Sequence, residues 1–181
     1  MIYDETVALR LVEIEDLPLL AQWRNAQQGR MMFFTPFMVS PSGQLKWYER
    51  IMGDPTQMQF TIIRLEDAEP IGTIGLTRLD QRNQDAEFGN LIMSPDISRR
   101  QWGVPAAITM IRYAFRDLNL HRIHTSLYSF DTEALADAEA IGFQREAVAR
   151  RAAFVNGAFH DVIHMAILRD EWPYLMRPVQ S

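Results

Sequence analysis

The sequence predicts a single α/β domain, of the α+β kind, in which helices cover both faces of a mixed, mostly antiparallel sheet. Predicted strands and helices follow one another in the order β-α-α-β-β-β-α-β-α-β-β. A helix separates one pair of central strands, so this pair must run parallel. The other strands are joined by short turns, which are typical of antiparallel pairs.

Composition limits the classes of function. With 181 residues the chain is long enough for one substantial core, and we assign residues 1–181 to one domain. The absence of cysteine excludes disulfides and thiolate sites. A net charge of -5 argues against a nucleic-acid partner. The N-terminal residues lack a signal-peptide pattern and no apolar run is long enough to span a membrane, so we expect a cytoplasmic protein without a membrane partner.

The first quarter of the chain contains one strand and two helices. Residues 7–12 form a short strand, and Asp16 is expected to cap a first helix that Gly29 ends. A second helix begins at Ser40-Pro41. The intervening residues 30–39 are rich in methionine and aromatic side chains, which fits either core or the wall of a binding site.

Strands dominate the middle of the chain. Residues 60–65 and 71–76 are expected to form an antiparallel hairpin, and residues 86–93 a third strand. Residues 122–128 form the strand that lies parallel to the third, because a helix separates the two.

A short helix and a hairpin complete the domain. Asp131 or Thr132 caps the helix and Gly142 ends it. Two long strands, 147–155 and 159–168, follow. They are joined by Asn156-Gly157, the strongest two-residue hairpin signal.

The stretch from Leu91 to Leu118 carries the clearest functional pattern. The end of a strand is followed by the basic loop Ser98-Arg99-Arg100-Gln101-Trp102-Gly103 and then by an amphipathic helix. The first N–H groups of a helix have no partner inside it and carry the positive end of its dipole. The loop can therefore hold phosphate oxygens, and its two arginines strengthen that prediction.

Further motifs follow this loop. They are Tyr113-Ala114-Phe115, His121-Arg122-Ile123, Ile141-Gly142-Phe143, and Asn156-Gly157 with Asp161 downstream. The succession resembles the GNAT superfamily of acetyl-coenzyme A (acetyl-CoA) dependent N-acetyltransferases, over essentially the whole chain. Trp23-Arg24-Asn25 and the closing Leu168-Arg169-Asp170-Glu171-Trp172 resemble more narrowly the branch of ribosomal-protein N-terminal, spermidine and nucleotide-sugar amine acetyltransferases.

The family's phosphate-loop pattern, Arg/Gln-x-x-Gly-x-Gly/Ala, is only partly kept. One register places Gly103 at the last glycine, Gln101 at the earlier glycine and Ser98 at the basic residue. A second register starts at Arg100 and places Pro105 at the last glycine. We prefer the first, which fits the helix length better and sets Pro105 in the first helical turn.

The resemblance implies an acetyl-CoA site along the third strand, the basic loop and the start of the short helix. The residues expected to contact the cosubstrate are Leu91, Ile92, Met93, Arg99, Arg100, Gln101, Trp102, Gly103, Val104 and Asp131. The backbone of residues 91–93 is expected to bond the pantetheine, and Asp131 to accept a bond from its amides. Trp102 is equally explained by ordinary packing.

The chemistry that the resemblance implies is direct attack of an amine on the thioester carbonyl. The amine must lose a proton, and the leaving thiolate must gain one. Glu87 is the expected base, and its place on the central strand predicts partial burial and a raised pKa. An equally supported interpretation is that Glu87 is a structural strand carboxylate paired with an arginine.

The proton donor departs from the family pattern. Many relatives carry an asparagine at the start of the short helix and a tyrosine acid on it, whereas Asp131 and Ala138 occupy those positions here. Tyr128, at the end of the neighbouring strand, is the expected substitute, although a half-buried strand tyrosine needs no function. Water is the other route for the proton.

Two further clusters are given structural interpretations. His160 and His164 are four positions apart, and on a strand this separates them by about 13 Å, too far to share an ion, so we predict no metal. Glu133, Asp137 and Glu139 are expected to form a solvated helix face.

The sequence therefore predicts an acetyl-CoA dependent N-acetyltransferase that acts on a primary amine, of a protein N terminus or a small molecule. An amine on a nucleotide-linked sugar is the nearest alternative, for which Arg24, Arg30, Lys46 and Arg50 supply charge. A non-catalytic acyl-CoA binding or regulatory module is the alternative of another class. The acceptor pocket is expected from residues 31–39 and the Asn156-Gly157 hairpin. A homodimer is compatible with the sequence, which leaves the oligomeric state open.

Overall fold

The computed structural model describes residues 1–26 and 37–175. The predicted helix stop Gly29 and most of the segment predicted as an acceptor wall lie outside the described residues. The strands are β1 Ile2–Tyr3, β2 Val7–Leu11, β3 Met58–Arg64, β4 Glu69–Asp80, β5 Asp85–Met93, β6 Arg122–Tyr128, β7 Gln144–Val155 and β8 Ala158–Leu168. The α-helices among these residues are α1 Leu17–Asn25, α2 Pro41–Met52, α3 Val104–Arg116 and α4 Thr132–Ile141.

All eight strands join one sheet in the order β1-β2-β3-β4-β5-β6-β8-β7. Every neighbouring pair is antiparallel except β5 and β6, which run parallel. The predicted fold class is confirmed. Strand β1 was not predicted, because a pair of residues is too short to show a period of two. Strand β4 begins at Glu69, two residues before the predicted start at residue 71, and ends at Asp80.

Helices cover both faces of this sheet, as predicted. Leu91 and Ile92 are neighbours on β5 and therefore point to opposite faces. Leu91 belongs to the main core, which α3 and α4 cover, while Ile92 belongs to a second apolar cluster with α1 residues such as Leu20 and Trp23. None of the helices in the described ranges is long and apolar enough to cross a bilayer.

The C-terminal hairpin forms as its turn sequence predicts. Asn156 and Gly157 adopt φ angles of 49° and 81°, the left-handed values that a two-residue type I′ turn requires at both positions. Strand β8 pairs with both β6 and β7, which leaves β7 at the edge of the sheet.

Asp16 has a different role from the predicted helix cap. Its carboxylate does not cap α1. It accepts hydrogen bonds from the guanidinium of Arg10 at 2.8 and 3.0 Å, from the N–H of Glu13 at 2.9 Å and from the hydroxyl of Thr61 at 2.9 Å. Burial opposes its ionisation, but these hydrogen bonds outweigh burial and lower the pKa of Asp16. The side chain therefore ties β2, β3 and the start of α1 together.

We expect Asp16→Ala to lower the free energy of unfolding by about 1–3 kcal/mol, because the partly buried guanidinium of Arg10 and the buried hydroxyl of Thr61 lose their acceptor. The folded pKa lies below the unfolded value of about 3.9, so the carboxylate stabilises the protein above that pH. That stabilisation is lost as the pH falls through the folded pKa. Urea unfolding of the wild type and Asp16→Asn should show a difference at about pH 7 that shrinks below about pH 4. Equal stability at neutral pH would contradict the prediction.

Candidate active site

The parallel strands β5 and β6 pair over a short length and then separate. Their paired positions are Asp85 with Arg122, Ala86 with Ile123, and Glu87 with His124. Three residues beyond Glu87, Asn90 takes a left-handed conformation with φ of 55°. The register of β5 against β4 shifts at the same place. Such a bulge bends a strand, which here carries β5 away from β6.

The separation opens a first cavity of about 200 Å³ between the two strands. It lies where both strands end and where α4 and the loop before α3 begin, a usual place for ligands in sheets with parallel strands. Its lining residues are Thr77, Glu87, Phe88, Gly89, Asn90, Leu91, Arg99, Thr125, Ser126, Leu127, Tyr128, Asp131 and Ala134. Glu87, Tyr128, Leu91, Arg99 and Asp131 were all predicted site residues.

The basic loop is the first turn of a longer helix. Residues Arg99–Gly103 form one π-type turn that continues into α3, and such turns are frequent at functional sites. The hydroxyl of Ser98 caps the turn by accepting the N–H of Gln101 at 3.2 Å. Gly103 is buried, and a Cβ there would lie 3.2 Å from Arg99 Cγ and 3.4 Å from Met93 Sδ. A glycine at this position lets the helix pack closely on β5.

Both loop arginines are held by Asp137 of α4. Arg100 Nη1 lies 2.8 Å from Asp137 Oδ1, and Arg99 Nε lies 3.7 Å from Asp137 Oδ2. The prediction that Asp137 belongs to a solvated face is wrong, because its side chain is buried against this pair. Arg99 lines the cavity, and its buried Nε has no hydrogen-bond acceptor among the described residues. Arg100 is more exposed, at 66%.

The remaining predicted cosubstrate contacts do not line the first cavity. Ile92 and Met93 continue β5 and pair with Thr73 and Gly72 of β4. Gln101, Gly103 and Val104 lie in the turn and at the start of α3. Trp102 packs against the main core, with the guanidinium of Arg64 5.7 Å from its ring centre. These contacts are the ones expected if Trp102 serves ordinary packing.

Glu87 is partly buried, as predicted, with 27% of its side chain exposed. Its Oε2 accepts a long hydrogen bond from the Thr77 hydroxyl at 3.4 Å and lies 3.4 Å from Nε of the exposed Arg78. The arginine of the alternative interpretation is therefore present. The carboxylate also reaches the cavity, so the pairing does not remove it from the site.

Tyr128 lies on the β6 side of the same cavity. Its side chain is buried at 4% exposure, and its ring stacks on Phe130 with centres 5.0 Å apart and planes inclined by 12°. Burial raises the pKa of Tyr128 above its ordinary value. The phenol therefore keeps its proton at neutral pH and can donate it. Asp131 caps α4 by accepting the N–H of Ala134 at 2.9 Å, so the choice between Asp131 and Thr132 falls on Asp131.

Sequence reasoning missed a polar pair of which one member, Ser126, lines the first cavity. Ser126 Oγ lies 2.9 Å from His164 Nδ1, across the β6–β8 pair. The pair depends on register between strands distant in sequence, so no local signal identifies it. In the two stretches that the structure describes, no three His, Cys, Asp or Glu residues lie close enough to hold a metal ion. His160 packs its ring against Phe130 at 4.6 Å.

A second cavity, of about 160 Å³, lies on the sheet face covered by α1 and α2. It is lined by Leu20, Arg24, Val39, Gly43, Gln44, Trp47, Gln59, Thr73, Asn90 and Ile92. Asn90 lines both cavities. The amide of Asn25 fixes Val39 by hydrogen bonds of 2.7 and 2.8 Å to its backbone. The acceptor pocket was predicted from residues 31–39 and the Asn156-Gly157 hairpin. Val39 lines the second cavity, whereas Asn156 and Gly157 line neither cavity.

Comparison with known proteins identifies a family and related chains. Residues 6–144 match the acetyltransferase (GNAT) domain family. YdaF of Bacillus subtilis (strain 168), whose name assigns it provisionally to the ribosomal N-acetyltransferases, is 30% identical over 174 residues, or 93% of this chain and 94% of that protein. The spermidine N(1)-acetyltransferase of Escherichia coli (strain K12) is 26% identical over 170 residues, or 92% of this chain and 88% of that protein.

Solved structures of similar fold include spermidine N-acetyltransferases. The crystal structure of spermidine N-acetyltransferase from Vibrio cholerae in complex with CoA and spermine matches with a TM-score of 0.86 at 25% identity. The match covers 93% of this chain and 98% of that one. A dodecameric structure of the Vibrio cholerae enzyme in an intermediate state matches with a TM-score of 0.78 at 25% identity, over 90% of this chain and 93% of that one.

Proposed function

We propose that this chain, which belongs to the GNAT family of acetyltransferases, transfers the acetyl group of acetyl-CoA to a primary amine on a protein N terminus or a small molecule. The observation that carries the proposal is the first cavity, which has Glu87 on β5 and Tyr128 on β6. A carboxylate and a phenol in one cavity supply the two proton transfers that amine acetylation needs.

The start of α3 suits the phosphates of the cosubstrate. Arg99 lines the cavity, and its buried Nε has no acceptor among the described residues, so an anionic oxygen there would complete its hydrogen bonding. The positive end of the α3 dipole adds to that attraction. Asp137 keeps both loop arginines in place. The Vibrio cholerae enzyme, of similar fold, was crystallised with CoA.

We assign each proton transfer to one side chain. Glu87 takes the proton of the attacking amine, directly or through a water molecule, as the new C–N bond forms. The thiolate leaves as the C–S bond breaks, and Tyr128 gives it a proton. Burial raises the pKa of Tyr128, which keeps the proton available until the sulfur becomes basic enough to accept it.

Thiol release from acetyl-CoA across a panel of primary amines tests the proposed function. We expect release that depends on the amine and that produces an equal amount of acetylated amine, measured by mass spectrometry. Acetyl-CoA that stabilises the protein thermally without thiol release, with any amine in the panel, would contradict the proposal. That result would support the non-catalytic acyl-CoA binding module.

The role of Arg99 is testable separately. We expect Arg99→Gln to raise the KM for acetyl-CoA about tenfold to a hundredfold with a smaller change in kcat, because one charge-assisted hydrogen bond is lost. Asp137 keeps Arg100 as a partner in this variant, so the loop retains its anchor. The exposed Arg82 in the β4–β5 turn gives the matched control Arg82→Gln, which should leave KM unchanged. Equal KM values for Arg99→Gln and the wild type would remove Arg99 from the site.

A further inference from the structure

The second cavity is a compartment beside the site of chemistry. Its walls are apolar, from Leu20, Trp47 and Ile92, and its polar groups are mostly uncharged amides and one hydroxyl. Gln44 and Gln59 are buried, and the amide of Asn90 donates to Gln59 at 3.2 Å. Gln59 in turn donates to Thr73. These groups give the compartment hydrogen-bonding capacity without negative charge.

The described lining of this compartment carries a positive charge. Among the described residues that line it, Arg24 is the one that carries a charge. Burial lowers the pKa of Arg24, but arginine remains protonated even so. The described lining therefore brings no carboxylate to receive an ammonium group.

The first cavity contains a negative charge, the carboxylate proposed to act as the base. Glu87 lies there, and Asn90 lines both cavities, so the two are adjacent. An acceptor that reaches from one cavity into the other would have its amine near the Glu87 carboxylate and its tail near the Arg24 guanidinium. The planar fork of a guanidinium matches a carboxylate or phosphate by two parallel hydrogen bonds.

We infer that the acceptor is a primary amine whose tail carries a carboxylate or phosphate, which Arg24 binds, and that it is not a polyamine. The inference rests on the proposed function and narrows its substrate class. A polyamine would set a second ammonium group beside Arg24, where like charges repel. The Vibrio cholerae enzyme was crystallised with spermine, so the two proteins are expected to differ in acceptor despite their similar fold.

Binding to the wild-type protein, saturated with CoA, tests the inference by calorimetry. The probes are 5-aminopentanoate, 1,5-diaminopentane and pentylamine, which share one chain length and differ in the charge of the tail. Shorter and longer homologues and the matching aminoalkyl phosphates repeat the comparison. We expect one of the anionic amines to bind about tenfold or more tightly than its diamine of equal length. Tighter binding of the diamines, or no binding of any anionic amine, would overturn the inference.

Variants of Arg24 test whether this residue causes the preference for anionic amines. Arg24→Gln should remove the advantage of the anionic amines and leave pentylamine binding unchanged, whereas Arg24→Lys keeps the charge and should keep part of the advantage. Arg82, exposed in the β4–β5 turn and outside both cavity linings, provides the control Arg82→Gln, which should bind as the wild type does. An unchanged preference in Arg24→Gln would overturn the inference. These binding measurements need no turnover, so they test the inference even if no amine causes thiol release. Absence of thiol release would contradict the proposed function and not the binding preference.

Discussion

Glu87→Gln is expected to lower kcat/KM for the amine by about 10²–10⁴-fold, because an amide cannot accept the proton that the amine must lose. The substitution keeps the shape of the side chain and its contact with the Thr77 hydroxyl. Affinity for acetyl-CoA should stay unchanged, since the lost function is proton transfer rather than binding. Steady-state thiol release between about pH 6 and about pH 9, with acetyl-CoA saturating, measures the effect.

A second glutamate separates catalysis from ordinary ion pairing. Glu146 of β7 is also a strand carboxylate paired with an arginine, Arg122, but it does not line the first cavity. Glu146→Gln should retain wild-type kcat/KM. If Glu87→Gln also retained wild-type kcat/KM at every pH, Glu87 would be only an ion-pair residue. Another group would then accept the proton of the amine.

Tyr128→Phe is expected to lower kcat by about 10²–10⁴-fold while the KM for acetyl-CoA changes little, because the thiolate loses its proton donor. The phenylalanine ring can keep the stacking on Phe130, so the fold should be retained. Burial raises the pKa of Tyr128 above the ordinary value of about 10, so its proton is present throughout the neutral range. The loss should therefore be constant from about pH 7 to about pH 9, as single-turnover measurements will record.

Tyr113 provides the matched control. It is a partly buried tyrosine of α3 whose pKa burial also raises, and its ring lies 6.2 Å from Phe60, outside the first cavity. Tyr113→Phe should leave kcat unchanged. Equal kcat values for Tyr128→Phe and the wild type would assign protonation of the thiolate to water.

The architecture was predictable because its signals are local. The left-handed turn at Asn156-Gly157, the proline in the first turn of α3 and the helix between β5 and β6 each act over a few residues. The parallel pair then follows from chain connectivity. Asp16 shows the limit of such signals, because its hydrogen bonds join Arg10 and Thr61, and Thr61 is distant in sequence.

Part of the candidate site was predictable for the same reason. The sequence and its family resemblance identified Glu87, Tyr128, Arg99 and Asp131, and all of them line the first cavity. They were found because the family resemblance implies a site along the third strand, the basic loop and the start of the short helix, and each of these segments is recognisable in the sequence. The segment predicted as the acceptor wall had no clean period, and of its residues Val39 is the one that the structure places in a cavity.

The sequence by itself determined the order of elements, the parallel central pair and the places of Glu87, Tyr128 and Arg99 along those elements. Tertiary structure alone decided what those groups face. The bulge at Asn90 opens the gap between β5 and β6, and Asp137 crosses from α4 to hold both arginines. Arg24 comes to share a cavity with Asn90 only when α1 packs on the sheet. These relations depend on register and packing between distant segments, which no local periodicity encodes.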